Sequence, residues 1–344
     1  MGELTKRQKF LLTLVVHEYI KSAAPVGSQY LVEHYHLDMS SATVRNELGL
    51  LTEMGYIRQP HTSAGRIPSE EGYRYFVGRL LQETHLPDAT RRTITHQFYQ
   101  MRNDVDQWMR LSASVLAHQS RAASLVTAPH PETARFKHVE LIATRGRQVL
   151  MVLVTVGGEI HQRIVTVNEP TPQEALSLIA NKLTHLFDHK DTEAIRELRG
   201  LLQGLEVEAT DWILMEMDQS NTQFAGEVYL DGVSNVLAEP EFIGSETAHR
   251  ALRVLEERSR LQDLLSRTVA TSSAGGIQVL IGGEGTSEDL REFSIVLARY
   301  GTPGLISGNL GVVGPMRMSY GRAISTIRFL ASLLSELVTD TLVD

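Results

Sequence analysis

Residues 36–68, HLDMSSATVRNELGLLTEMGYIRQPHTSAGRIP, decide the fold of the N-terminal part of this 344-residue chain. Ser40 and Ser41 are good helix N-caps, because a serine hydroxyl accepts a hydrogen bond from a free backbone N–H of the first turn. A helix of about four turns is expected to follow. It is expected to end at Gly55, since glycine suits the left-handed C-cap position.

The two faces of this predicted helix differ in chemistry. Val44, Leu48 and Leu51 recur at helical spacing and predict one buried stripe. The opposite face of the first turn and a half carries hydroxyls, an amide and a guanidinium. Arginine bonds guanine with two hydrogen bonds, asparagine bonds adenine, and serine and threonine suit bases or phosphates. The pattern is typical of a DNA recognition helix, whose predicted contacts are Ser40, Ser41, Thr43, Arg45 and Asn46.

The residues after Gly55 predict a wing. Residues 56–59 read as a short strand, and a polar tip with a basic glycine pair precedes Pro68. A strand, such a tip and a return strand after a recognition helix are typical of a winged helix-turn-helix. The predicted wing contacts are His61, Thr62, Gly65 and Arg66. The alternative is a generic three-helix cluster with a polar third helix, but the wing is a second, independent feature that favours DNA binding.

Two shorter helices are predicted before the recognition helix. Thr5 and Gln8 have the spacing of a capping box, so they predict the start of the first helix. Pro25 ends this helix, and Ser28 is the predicted cap of a second one that runs to about residue 35.

Charge and composition limit the possible functions. The formal net charge is −8, but residues 1–80 hold nine Lys/Arg against eight Asp/Glu, and the rest of the chain holds 24 against 33. DNA affinity must therefore come from the local placement of a few arginines, namely Arg45, Arg58, Arg66 and Arg74. The absence of cysteine excludes disulfides, thiolate metal sites and cysteine nucleophiles.

No segment predicts membrane insertion or export. The N-terminus MGELTKRQKF lacks the apolar core of a signal peptide. The longest apolar run, near residues 149–156, is far shorter than the roughly 20 residues that span a membrane. We therefore expect a cytoplasmic protein with no membrane partner.

The middle of the chain predicts a helix followed by a mixed α/β region. Residues 91–125 read as one long helix with heptad-like apolar spacing, which fits an intermolecular coiled coil and a helix packed on its own domain equally well. Residues 138–167 predict three antiparallel strands joined at Gly146 and at Gly157-Gly158. Helices are predicted at 172–187, 191–202, 207–217, 245–269 and 320–342, and strands at 227–230, 277–281, 293–298 and 309–313.

No catalytic or metal site is predicted. The run 281–285, IGGEG, fits a turn at the end of a strand far better than a nucleotide site, because no other phosphate-binding loop accompanies it. His185 and His189 have the i, i+4 spacing of helical metal ligands, but no third ligand is evident, so surface histidines are the favoured interpretation. The prediction is a non-enzyme without metal or cofactor.

Five runs of sequence resemble the HrcA family of heat-inducible bacterial transcription repressors. They extend from the N-terminal third to the last thirty residues, so the resemblance covers essentially the whole chain. The runs are SSATVRNEL, GYIRQPHTSAGRIPSEEGYRYFV, YLDGVSNVL, EPEF and GNLGVVGPMRMSYGRAIS.

This resemblance implies a multidomain α+β fold. A winged helix-turn-helix DNA-binding domain would occupy residues 1–87 and a linking helix 88–130. A GAF-like α/β domain would comprise 131–184 and 273–344, interrupted by an inserted dimerisation domain at 185–272.

The same resemblance implies a sequence-specific repressor of heat-shock chaperone operons. It would bind double-stranded DNA at an inverted repeat as a homodimer, with a GroEL-type chaperonin as its modulator. A metabolite-gated winged-helix regulator is the alternative, and an enzyme acting through residues 281–285 is a more distant one.

Overall fold

A computed structural model describes the chain except for residues 1–2, 62–63, 82–84, 102–103, 132, 157, 223–226, 244–245, 247–256, 258–260, 262–264, 266–275, 283–289 and 343–344. It is a mixed α/β multidomain fold in which helices pack on antiparallel sheets. We refer below to an N-terminal unit (residues 3–81), a central unit (residues 85–131 and 227–342) and an insert unit (residues 133–222).

The N-terminal unit contains three helices, a two-stranded antiparallel sheet and a closing helix. Thr5 and Gln8 form the predicted capping box, since each side chain bonds the backbone N–H of the other. The predicted cap Ser28 is instead the first residue of the second helix, and Gly27, which has no side chain, is the cap. The elements are α1 (Lys6–Ser22), α2 (Ser28–Tyr35), α3 (Ser41–Glu53), β1 (Ile57–Arg58), β2 (Ile67–Pro68) and α4 (Glu70–Tyr75), which continues as a π-helical turn, Phe76–Leu80.

The prediction of one long helix over residues 91–125 is wrong. The chain forms α5 (Asp88–Gln100), α6 (Val105–Ser120) and the strand β3 (Ala123–Thr127). Met101 leaves the helical conformation, and the side chain of Asp104 then accepts a hydrogen bond from the backbone N–H of Gln107 to start α6. The expected linking helix at 88–130 is therefore two helices and a strand that belongs to the central sheet.

Besides α5, α6 and β3, the described elements of the central unit are β4 (His130–Pro131), β8 (Val228–Asp231), α10 (Val233–Leu237), β9 (Ile277–Ile281), β10 (Phe293–Thr302), β11 (Ile306–Pro315) and α11 (Tyr320–Leu342). The central sheet has the strand order β8-β3-β11-β10-β9, with β4 pairing beside β3 on β11. All of these strand pairs are antiparallel. None of the helices in the described ranges is long and apolar enough to cross a membrane.

Both faces of the central sheet are buried. Alternate residues of β10, such as Val296 and Tyr300, join an apolar core with α6, α11 and the N-terminal unit. The intervening Ile295 and Leu297 face a second core that includes Val236, Phe242, Leu261 and Leu265. Phe242 stacks on Phe293 with ring centroids 4.6 Å apart.

The second core differs from the expected domain layout. Residues 185–272 were expected to form the insert, yet the described residues between 233 and 265 pack on the central sheet. Most of the predicted helix at 245–269 lies outside the described residues.

The chain leaves the sheet after β3 and β4 and returns at β8, where Thr127 pairs with Val228. The two ends of the insert are thus held side by side near residues 131 and 227.

The insert unit has a separate sheet and core. The three strands predicted over 138–167 are confirmed as an antiparallel sheet, β5 (Phe136–Ala143), β6 (Gln148–Thr155) and β7 (Ile160–Thr166). They were expected to share one domain with the strands of 273–344, but among the described strands they pair only with one another. Their core is completed by α7 (Gln173–Phe187), α8 (Thr192–Leu198) and α9 (Leu205–Thr222). A 3-10 turn (Arg199–Leu201) without buried residues follows α8.

Candidate nucleic-acid interface

The helix α3 has the two faces that its sequence predicts. Ser40 is its N-cap and accepts a hydrogen bond from the backbone N–H of Thr43 at 3.1 Å. Val44, Leu48 and Leu51 are buried on the side that packs on α1 and α2. The opposite side of the first two turns points into solvent.

Three of the predicted base contacts are available on that outer side. Ser41, Arg45 and Asn46 are exposed, and their side chains make no hydrogen bond or ion pair within the described part of the chain. The hydroxyls of Thr43 and Ser40 are hydrogen-bonded to each other at 2.9 Å, so both side chains are engaged at the helix cap. The structure therefore brings a guanidinium, an amide and a hydroxyl together on one exposed surface.

Contacts from α1 fix the orientation of α3. The carboxylate of Glu47 accepts hydrogen bonds from Gln8 at 3.2 Å and from Arg7 at 3.4 Å. The first turn of α1 thereby holds the middle of α3, and the outer face of α3 is displayed in a defined direction. Sequence analysis missed this role of Glu47, because helical spacing alone does not show which helix its side chain meets.

A buried carboxylate joins α2 to α1. Glu18 accepts hydrogen bonds from the hydroxyls of Tyr35 at 2.5 Å and Tyr30 at 2.7 Å, and it pairs with Lys21. The hydrogen bond from Tyr35, followed by that from Tyr30, lowers the pKa of Glu18 to about 2, although burial opposes the shift. This carboxylate therefore stays ionised and anchors the helix-turn-helix across the physiological pH range.

The wing is short and is attached to the turn before α2. In β1 and β2, Ile57 pairs with Pro68 and Arg58 with Ile67. Val26 then bridges Arg66, with both backbone hydrogen bonds at 2.8 Å. A Cβ at Gly65 would lie 2.5–2.7 Å from backbone atoms of Val26, so only glycine fits beside this bridge.

The predicted wing contacts occupy different positions. His61 is exposed at the tip, and Thr62 lies outside the described residues. Arg66 is half-buried at the base of the wing, where its Nε donates to Thr52 Oγ1 at 3.1 Å. Arg74 pairs with Glu70 and Glu71 and donates to the backbone oxygen of Ile281 in the central unit. These contacts engage the guanidinium that was expected to add to DNA affinity, and Arg66 lies closer to α3 than a tip residue would.

The helix α3, the segment between β1 and β2, and the N-terminus of α2 border a polar cavity of about 430 Å³. Arg45 and Arg66 line it together with Gln59 and the N-terminal residues Gly27 and Ser28 of α2. Free backbone N–H groups and the positive end of a helix dipole attract anions at such an N-terminus. Two guanidiniums and a helix N-terminus around one cavity form a site that suits a phosphate group.

A triad-like group in the insert unit does not have the form of a catalytic site. His161 lies 3.2 Å from Ser220 Oγ and 3.2 Å from the carboxylate of Glu216. Ser220 is within α9, where its hydroxyl also donates to the backbone oxygen of Glu216. The N–H groups of Asn221 and Thr222, which follow Ser220, lie within α9, so this pair is not free to stabilise an oxyanion. This group links β7 to α9.

The other sites weighed from the sequence also have structural explanations. The helix α7 ends at Phe187, so His189 lies beyond it and pairs with Asp188 at 3.7 Å. Among the described residues, no group of three or more histidines and carboxylates is placed to hold a metal ion. Gly282 in the 281–285 turn packs against the carboxylate of Glu70, and residues 283–285 lie outside the described residues.

Known proteins resemble this chain over almost all of its length. Residues 106–324 match the family described as HrcA protein C terminal domain. Heat-inducible transcription repressors HrcA of Roseiflexus castenholzii and Thermomicrobium roseum are each 40% identical to it, over 98% of this chain and 95% and 96% of their own lengths. The corresponding repressor of Dehalococcoides mccartyi is 33% identical over 98% of this chain and 96% of its own length.

One solved structure shares the fold. It is described as a hypothetical protein at 2.2 Å resolution, and it aligns with a TM-score of 0.61 and 24% sequence identity. The alignment covers 98% of this chain and 100% of that one. The overall fold of this chain therefore occurs in an experimentally determined structure.

Proposed function

This chain belongs to the HrcA family of heat-inducible transcription repressors, and from that premise we propose that it binds an inverted-repeat operator upstream of chaperone operons as a homodimer. The observation that carries this proposal is the exposed surface of Ser41, Arg45 and Asn46 on α3. The protein would act in the cytoplasm, where a bacterial operator lies. A transcription repressor is not an enzyme class.

We propose that the N-terminal unit is a winged helix-turn-helix that reads DNA with α3. In that geometry α3 enters the major groove, and its N-terminal residues reach the base edges. Arg45 would bond a guanine and Asn46 an adenine, while Ser41 and Thr43 would contact bases or phosphates. Ser40 would contribute by capping the helix, and the tip residues His61, Thr62 and Gly65 would lie against the DNA backbone.

We propose that the cavity beside α3 holds one DNA phosphate. Arg66 and the N-terminus of α2 would bond its oxygens, and Arg45 would lie between this phosphate and the bases. Contacts of this kind fix the register of a protein on the duplex without carrying sequence information. The near-neutral N-terminal unit then needs only a few well-placed arginine side chains to bind DNA.

We propose that the insert unit, with boundaries near residues 132 and 226, is the dimerisation domain. The outer face of its sheet carries a row formed by Ile142, Leu150 and Ile164, in which Ile142 and Ile164 are 40% and 61% exposed. Ile160 on the same face is 65% exposed. An apolar sheet face of this size is typical of a protein interface.

The edges of the same sheet favour an interface on the β7 side. The free edge of β5 is covered by side chains of α7, since Thr184 accepts from the N–H of Val139 and Gln173 bonds both Leu141 and Ala143. The other edge strand is β7, which carries Ile160 and Ile164. We infer that a second copy packs on this exposed face, and this copy would hold the two recognition helices at a fixed separation.

We propose that a GroEL-type chaperonin modulates the active pool by assisting folding. The central sheet forms only when β3 meets β8 across the whole insert unit. Such long-range strand pairing is slow and leaves apolar strands exposed to aggregation. A chaperonin occupied by heat-damaged protein would then leave less repressor able to bind, and the operon would be released.

A footprint of the purified protein on the DNA upstream of its own operon tests the function. The expected result is two protected half-sites related by two-fold symmetry. A matched pair of variants locates the surface responsible. Arg45→Ala should raise the protein concentration needed for protection by at least about fivefold, whereas Arg92→Ala, which removes an exposed arginine on α5, should leave that concentration unchanged. Protection of a single asymmetric site, or equal effects of both variants, would contradict the proposal.

A further inference from the structure

Three sequence runs that are far apart along the chain meet where the N-terminal unit contacts the central unit. Tyr73 in the run GYRYFV and Tyr320 in the run PMRMSY are both buried, and their rings lie 5.9 Å apart. The run EPEF contributes two glutamates to the same junction. None of these residues belongs to the DNA-binding surface described above.

Arg317 of the central unit crosses this junction towards α1. Its Nη1 donates to the backbone oxygen of Ile20, in the last turn of α1, at 3.3 Å. Its Nε and Nη2 each donate to the carboxylate of Glu241 at 2.9 Å, and Nη2 also bonds Glu239. The side chain is only 11% exposed. Two carboxylates on fixed backbone therefore hold the guanidinium plane in the one orientation that reaches α1.

Arg74 of the N-terminal unit makes the reciprocal contact. Its Nη2 donates to the backbone oxygen of Ile281, at the end of β9, at 3.3 Å. Glu70 and Glu71 pair with the same guanidinium. Gly282 adopts a left-handed φ of +68° and packs directly against the carboxylate of Glu70. Each unit thus extends one arginine to a carbonyl of the other.

Two separate attachment points restrain rotation in a way that one cannot. A single contact leaves the N-terminal unit free to pivot about it, whereas the pair of arginines with the buried tyrosines between them resists this pivot. Of the two arginines, Arg317 is the more buried, so its bonds are less screened by solvent than those of Arg74, which is 34% exposed. Of the two arginine contacts, the one made by Arg317 therefore contributes more to the orientation of α3 relative to the central unit.

We propose that Arg317, held by Glu239 and Glu241, is a positioning residue for operator binding. It fixes the direction in which each α3 faces, and in a dimer it thereby sets the distance between the two recognition helices. This inference rests on the proposed function, because half-site spacing matters only to a dimer that reads both half-sites at once. Affinity for a single half-site does not depend on Arg317.

Binding to operators with altered half-site spacing tests the proposal. Three proteins are compared: wild type, Arg317→Met and the control Arg322→Met. Each is titrated with a single half-site and with operators whose half-sites are moved apart or together by about 1 and 2 bp. These steps are small compared with the helical repeat of DNA. Methionine retains much of the buried side-chain volume and removes the guanidinium, and Arg322 is an exposed arginine of the same unit. The expected result is unchanged half-site affinity in all three proteins. The ratio of the affinity for native spacing to the affinity for altered spacing should fall about tenfold in Arg317→Met alone. A change of this size is expected for the loss of charge-assisted hydrogen bonds.

Distances between the two N-terminal units give a second readout that needs no DNA. Because the chain has no cysteine, Glu53→Cys provides one exposed spin-label site per protomer, at the end of α3. The distribution of label-to-label distances should be narrow in the labelled parent and broad when Arg317→Met is added. Arg317→Lys, which keeps the charge but lacks the planar fork, should also broaden it.

The outcomes separate the inference from the proposed function. Equal spacing preference and equal distance widths in wild type and Arg317→Met would overturn the inference and leave dimeric operator binding intact. A wild type that is indifferent to spacing would overturn both. Should Arg317→Met lose half-site binding through misfolding, Glu241→Gln and Arg317→Lys are compared instead, and unchanged widths in both would refute the positioning role.

Discussion

Replacing Glu18 by glutamine should loosen the helix-turn-helix by a predictable amount. The carboxylate is 6% exposed and accepts hydrogen bonds from Tyr35 and Tyr30, which attach α2 to α1. Its pKa of about 2 in the folded protein, against an ordinary value of 4.5, corresponds to at most about 3 kcal/mol at neutral pH. Because residual solvent weakens these bonds, we expect Glu18→Gln to cost about 1–3 kcal/mol.

The pH dependence of this loss has a definite sign. A carboxylate whose pKa is lowered on folding stabilises the folded state fully above its unfolded pKa, here 4.5. That contribution disappears as the pH falls towards about 2, the folded pKa. The difference in stability between wild type and Glu18→Gln should therefore be constant near neutral pH and should fall to less than about half of that value by about pH 3.

The free energy of unfolding of the N-terminal unit is measured in urea with a dye on Glu53→Cys. Because the natural chain has no cysteine, this thiol is the single labelling site. The control is Glu33→Gln, which makes the same change at an exposed position of α2 and should shift stability by less than about 0.5 kcal/mol. If Glu18→Gln and Glu33→Gln had equal effects, or if the Glu18 effect grew towards low pH, the assignment of Glu18 as the anchor of α2 would be refuted.

Three further predictions concern the wing, the dimer and folding. Gly65→Ala should destabilise the N-terminal unit by about 1–3 kcal/mol, because the added Cβ would collide with Val26. The control Gly78→Ala, whose Cβ meets no atom within 4 Å, should not have this effect, and the urea midpoint reported by the dye measures both variants. Ile164→Asp should raise the dimer dissociation constant measured by sedimentation at least about tenfold, because it places a charge on the apolar sheet face. The control Leu178→Asp makes a comparable change at an exposed leucine of α7 and should leave the dimer intact. After dilution from denaturant, a GroEL-type chaperonin with ATP should raise the fraction of protein that binds DNA, and equal recovery without it across a range of temperatures would count against chaperonin control.

Local sequence patterns predicted the elements of the N-terminal unit because their signals lie within one helix or turn. The cap at Ser40 and the stripe of Val44, Leu48 and Leu51 are complete within a single helix and its cap. The break before α6 was missed because no proline or glycine marks it, although Asp104 has the chemistry of an N-cap. The β-branched residues of 124–127 were a second available signal, since they form the strand β3 at the end of the predicted helix.

The grouping of strands into sheets was not accessible from periodicity. A run such as 149–156 predicts a strand, but its period does not say which strand it pairs with, so the strands of both sheets were assigned to one domain. The packing of Phe242 on Phe293 and the bonds of Arg317 to Glu239 and Ile20 join residues that are far apart in sequence. For the same reason, Arg66 was expected at the wing tip and Arg74 on the DNA surface, although their partners Thr52 and Ile281 place them elsewhere.

The ratio of operator affinity to random-DNA affinity in Arg45→Ala and Asn46→Ala tests the central claim most directly. Both side chains are exposed on α3 and have no partner within the described chain, so their loss should leave folding and dimerisation unchanged. If α3 reads the bases, each variant should lose about 1–3 kcal/mol of operator binding and far less of random-sequence binding, so the ratio falls at least about fivefold. An unchanged ratio in both variants would show that another surface reads the operator.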